Sequence, residues 1–224
     1  GLQALARRCA SDEYSRGLTV TLTADVDAGG EALSIPIFLG TFDGQGHCIT
    51  GLRLTQSASD IGLFSRVETG AVIRDLAVSG EVTPDGTQSG VGGIAGKHTG
   101  GTDPTVTNCY NTGSVKGASC GALVGEYAAE IRNSYYLEGS ASAATGNTKD
   151  GVNVEATAKT AAEMKETAFV LALGNEVFHQ DDGRNGGYPL LAWQGGTHVV
   201  NTAAAEACRS GSCVNLCTLA AVER

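Results

Sequence analysis

The 224-residue chain has no apolar run near the roughly eighteen residues that a membrane-spanning helix needs. It has no excess of positive charge: 15 Lys and Arg stand against 24 Asp and Glu, for a net charge of −9. Nucleic-acid phosphates and anionic lipid both demand clustered basic residues, so neither is an expected partner. Proline is scarce, at 4, which excludes collagen and a polyproline linker. Charged residues make up only 17%, yet hydrophobic residues reach 42%, which excludes wholesale disorder. The histidines His47, His98, His179 and His198 fall in no H-x3-H or H-E-x2-H spacing, so they do not read as a zinc site. No G-x-G-x-x-G lies between a strand and a helix, which removes the dinucleotide reading, and the G-x-S-x-G at 117–121 lies inside the repeats with no predicted helix following it, so it does not read as a hydrolase elbow.

What is abundant is glycine, with 32 residues. Together with many β-branched residues and few charges, it predicts an all-β protein with tight recurring turns. Three short segments repeat: IGLFS at 61–65, GGIAG at 92–96 and GALVG at 121–125. Each is followed by a second element, beginning at Ile73, Val106 and Ile131. The intervals are unequal while the short elements stay constant, as in a solenoid whose insertions lie in loops. Aligning the repeats places Ile73, Val106 and Ile131 in one inward column. Asp75, Asn108 and Asn133 form a second column, expected to hydrogen-bond the next coil's backbone at a corner. Tyr110 and Tyr135 share a third. Gly80, Gly113 and Gly139 are expected at turns with positive φ.

Upstream, LTVTLTADVDA at 18–28 alternates as a strand, and FLGTFDGQGHCITGLRL at 38–54 reads as turn then strand. Leu2, Leu5, Ala6 and Cys9 follow a helical period, so residues 2–10 predict a short helix capping the solenoid's open end. Segment 140–157 reads as a loop. Thr160 with Glu163 reads as a capping box opening a helix over 160–174, with Met164, Ala168, Leu171 and Ala172 as its apolar face. The organisation expected is an N-terminal cap at 1–17, β-helix repeats at 18–140, a helix-containing cap at 141–194 and a Cys-containing tail at 195–224.

At FDGQGHCITGL, GLFS, GGIAG, NCYNTGSV, GALVG and NSYYLEG, with NGGYPLLAWQ as the close, the chain resembles the GLUG-motif repeats of large bacterial surface and adhesin-like proteins. The resemblance covers roughly residues 5–194. It implies a right-handed parallel β-helix exposed outside a bacterium, without catalysis. Cys48, where a threonine is usual, and the tail after Gln194 depart from the pattern.

Of the seven cysteines, Cys208, Cys213 and Cys217 crowd the tail and are the disulfide candidates, whereas Cys109 and Cys120 read as buried thiols. The odd count leaves one free or paired between chains. A chain beginning at Gly1 with no visible signal peptide reads as processed or excised. Asp25 and Asp27 on one strand face, and Asp181 in DDGRNGG, are the candidate calcium ligands; strand-end turns are the competing reading. No other cofactor is expected. Asp43 and Asp182 complete the acidic set, but no pair is fixed at the separation that glycoside hydrolysis needs. Tyr110, Tyr135 and Tyr136 are the binding candidates, as a platform for sugar rings or as a packed aromatic group. The function expected is a non-catalytic extracellular or cell-surface structural or adhesive solenoid, self-assembling into filaments or joined to neighbouring domains. Carbohydrate binding is the alternative, and a polysaccharide lyase or hydrolase comes third.

Overall fold

A computed structural model describes residues 1–11, 13–85, 88–100, 105–126, 130–174, 178–179 and 185–191. Short runs rich in Val, Ile and Phe form strands that stack coil on coil in three parallel ladders. The first passes through Val20, Phe42, Ile73, Val106, Ile131 and Val154. The second passes through Val26, Ile49, Val78, Asn111, Tyr136 and Ala158. The third passes through Ile35, Phe64, Ala95, Val124 and Thr145. Like positions meet directly across each rung, so the inward column expected of Ile73, Val106 and Ile131 is fully buried. The fold is an all-β parallel solenoid. Phe178–His179 with Leu190–Leu191 is an antiparallel pair outside these ladders.

The corners explain the composition. Asp75, Asn108 and Asn133 take φ values of 52°, 51° and 43°, a left-handed turn that Asx residues tolerate. Their side chains bond to one another rather than to the next coil's backbone: Asn108 Nδ2 donates to Asp75 Oδ1 at 3.1 Å, and Asn133 Nδ2 to Asn108 Oδ1 at 2.8 Å. Sharing one column brings each amide against its counterpart a coil away. Gly80 and Gly139 have positive φ as expected, but Gly113 does not. A Cβ at Gly113 would lie 2.6 Å from the Gly80 backbone nitrogen, so close approach, not handedness, requires glycine there. The same holds for the repeated glycines at 62, 92, 96, 121 and 125, where one coil's backbone touches the next.

At the first end, a helix over Leu2–Arg8 packs Leu2, Leu5 and Ala6 on the interior, with Cys9 fully buried. Beyond residue 140 the solenoid continues. Thr145–Asn147 and Val154–Lys159, in the stretch expected to be a loop, pair with Val124–Glu126 and Ile131–Leu137. A coil already in place supplies backbone partners whatever the side-chain alternation. The capping box forms, with Glu163 N–H donating to Thr160 Oγ1 at 3.2 Å and Thr160 N–H to Glu163 Oε2 at 2.8 Å. It opens only a 3-10 turn, Glu163–Lys165. Glu166 is extended, and the α-helix is Thr167–Leu173. That restart moves the buried face to Met164, Phe169, Val170 and Leu173, leaving Ala168, Leu171 and Ala172 outside.

Among the described residues, Cys9, Cys109 and Cys120 are free thiols, and Cys48 is buried. Cys208, Cys213 and Cys217 lie outside the described residues. Burial pushes the Cys109 thiol up to about 12 from 9.0. A folded-state value above the unfolded one means the thiol's contribution is full below about pH 9 and is lost as pH rises toward about 12. Alkaline unfolding curves of Cys109→Ala are therefore expected to fall less steeply over that window than those of the parent; identical slopes would contradict the burial argument.

Candidate functional site

The second ladder carries an outward column of Cys48, Ala77, Tyr110, Tyr135 and Thr157, alternate to its inward positions. From Cys48 to Tyr135 this column is covered, whereas Thr157 at its end is exposed. Met164, Phe169, Val170, Leu173 and Phe178 pack on Cys48, Ala77 and Tyr110, with Tyr135, Leu137 and Tyr188 at the margin. Tyr110 is 1% exposed. Its ring meets Phe169 edge-on at 5.9 Å and Phe178 at 6.3 Å, and Tyr135 meets Phe169 at 4.9 Å and 90°. Edge-to-face pairs at these distances are attractive beyond their area burial.

The polar atoms under the cover are paired. Tyr110 OH donates to Pro189 O at 2.7 Å. Asn185 Nδ2 faces Cys48 Sγ at 3.0 Å, Tyr110 Oη at 3.2 Å and Pro189 O at 3.3 Å. Burial holds the Tyr110 hydroxyl well above its ordinary range, so it stays a donor. Tyr135 OH donates to Asn133 Oδ1 at 2.7 Å, and Asn133 Nδ2 reaches Ala172 O at 2.9 Å. The last Asx residue of the corner ladder thus ties the solenoid to the covering helix.

Of the two readings open for Tyr110, Tyr135 and Tyr136, sugar platform or packed aromatic group, the contacts seen are those of packing. Tyr110 is buried, Tyr135 is half-buried under Phe169, and half-buried Tyr136 packs against the interior cluster on the other side of the strand. The chain's return over the column displaced solvent from it. Tyr110→Phe removes the donor to Pro189 O, and is expected to cost about 1–2 kcal/mol and to speed proteolysis within 160–191. An unchanged melting temperature and cleavage rate would show that this bond does not hold the cover down. Sequence reasoning missed Asn185, Pro189 and Phe169 as partners of Tyr110. The NGGYP run signalled a terminus but not the face on which it lands.

The candidate calcium ligands have other partners. His47 Nδ1 donates to Asp25 Oδ1 at 3.0 Å, and Cys48 N–H to the same oxygen at 3.1 Å. Asp27 Oδ1 accepts from Gly29 N–H at 2.8 Å in a local Asx turn. Asp181 and Asp182 lie outside the described residues. Among the described residues, no three His, Cys, Asp or Glu side chains are grouped to hold a metal, and no helix is long and apolar enough to cross a membrane.

The fold and its glycine corners define a parallel β-solenoid carrying the GLUG motif, which residues 87–116 match. Over 130 residues the chain is 30% identical to Halomucin of Haloquadratum walsbyi (strain DSM 16790 / HBSQ001). That match takes in 50% of this chain and 1% of Halomucin's length. No solved structure matches.

Proposed function

We propose that this chain is a non-catalytic segment of an extracellular or cell-surface protein, a structural and adhesive solenoid that self-associates. The observation that carries the reading is where the chemistry-bearing side chains go: they hold coil to coil. Arg74 Nη2 pairs with Asp43 Oδ2 at 2.7 Å and Lys97 Nζ with Glu126 Oε2 at 3.5 Å, both between successive coils. The Asx ladder does the same at its corner, and the tyrosine column seats the C-terminal cover. A stack in which each coil contacts only its neighbours extends as a stiff body. The GLUG match and the similarity to Halomucin support a place at the cell surface.

Antibodies against the chain are expected to label intact cells of its source. The purified protein is expected to release neither reducing ends nor unsaturated products from uronic-acid polymers. Labelling only after permeabilisation, or turnover of such a polymer, would overturn the reading.

A further inference from the structure

The two ends of the coil stack are built differently. At the first end, the Ile35–Phe38 strand contains Pro36, which has no N–H. Ile37 N–H is taken by Cys9 O at 3.3 Å, and Leu39 N–H by Ser15 Oγ at 2.9 Å. The other strands there, Thr19–Thr21 and Val26–Asp27, are only 3 and 2 residues long. Proline, brevity and cover each make a sheet edge unfit for pairing. At the other end, Val154–Lys159 is 6 residues long, lacks proline and, among the described residues, pairs on one side only, with Ile131–Leu137.

Ile131 N–H donates to Asn153 O, and Glu138 N–H to Lys159 O. Successive residues of a strand address alternate edges. Residues 153, 155, 157 and 159 therefore face the neighbouring coil, and the N–H and C=O of Val154, Ala156 and Ala158 face the open edge.

We infer that a second copy of this chain docks on that edge, its Val154–Lys159 strand antiparallel to the first about a two-fold axis at Thr157. The inference deepens the self-associating part of the proposed function and rests on it. In this register each Ala156 exchanges both backbone bonds with Ala158 of the other copy. Thr157 meets Thr157, and Glu155 meets Lys159, at the closely spaced non-hydrogen-bonded pairs. Glu155, Thr157 and Lys159 share one face by the two-residue period, and Glu155 and Thr157 are exposed. Thr–Thr and opposite-charge pairs directly across are favourable. Moving the axis to Ala156 sets Glu155 against Thr157, and moving it to Ala158 sets Lys159 against Thr157. Only the axis at Thr157 pairs both charges. Such a contact is isologous and closes on itself. With the first end blocked, the assembly is a dimer of end-joined solenoids and not a filament.

The test is sedimentation of the full chain across a dilution series under reducing conditions, which keeps the tail cysteines from linking copies. The expected result is a monomer–dimer equilibrium. Glu155→Lys and Lys159→Glu each place like charges across both symmetry-related contacts and are expected to weaken dimerisation about tenfold. The double charge swap is expected to restore it to within about threefold of the parent, which no general loss of stability would do. A monomer at every concentration overturns the dimer while leaving the surface reading to the cell-labelling experiment. Open-ended filaments, or a dimer indifferent to all three variants, overturn it as well.

Discussion

Phe64→Ala is expected to lower stability by about 4 kcal/mol and the melting temperature by about 10 °C. The Phe64 ring is fully buried and sits 5.2 Å from Phe38 and 5.1 Å from Phe42, which themselves lie 6.1 Å apart. These three rings come from two successive coils and pack together in the solenoid interior. Phe64 also lies in register between Ile35 and Ala95. An alanine there sets small against small beside Ala95, and the ladder's backbone bonds keep the coils from closing the gap. Cavity cost therefore adds to the lost transfer energy. Denaturant melts would show the loss as a lower midpoint at unchanged slope. Leu171→Ala, on the outer side of the C-terminal helix, is the control, expected within about 0.5 kcal/mol of the parent. A loss below about 1.5 kcal/mol for Phe64→Ala would mean the interior relaxes far more than close packing allows.

Gly125→Ala is expected to be at least as damaging, at about 3 kcal/mol or more, although it adds one methyl. The new Cβ would lie 2.3 Å from Val91 N, 2.4 Å from Gly90 C and 2.5 Å from Gly96 O. All three are backbone atoms of the preceding coil, held by their own ladders, so no side chain can move aside. The coils must separate along that strand, breaking rung bonds with them. Gly139→Ala is the contrasting case. Its φ is 79°, but nothing lies within 4 Å of the added carbon, so the cost there is conformational strain of about 1 kcal/mol. Circular dichroism and thermal melts of the two variants decide the matter. A Gly125→Ala protein that melts with Gly139→Ala would show that the strand contact is looser than its backbone distances require.

The solenoid and its registers were legible in the sequence because stacking repeats one physical situation. Ile73, Val106 and Ile131 recur since the same inward site recurs. Asp75, Asn108 and Asn133 recur since the same left-handed corner does. The repeated glycines mark positions where backbone must touch backbone. Local signals also placed the N-terminal helix and the Thr160–Glu163 capping box. Aligned columns even put Tyr110 beside Tyr135, but an aligned column does not say what lies over it.

What only the tertiary structure decided are the relations between segments that share no repeat. Phe169, Asn185 and Pro189 come from non-repeating sequence, and their meeting with Tyr110 depends on where the chain turns back. That turn converts a platform open to ligands into a seat for the chain itself. The strands at Thr145–Asn147 and Val154–Lys159 were invisible for a related reason. Their side chains are small and polar, and a waiting coil supplies backbone partners that no local pattern announces. The break at Glu166 is decided by which residues can reach the tyrosine column: restarting the helix there brings Phe169, Val170 and Leu173 down together. Sequence by itself determined the repeating coil, because each coil answers to its own residues and its neighbour's. Tertiary structure decided how that repeat ends, because an end is defined by what packs against it.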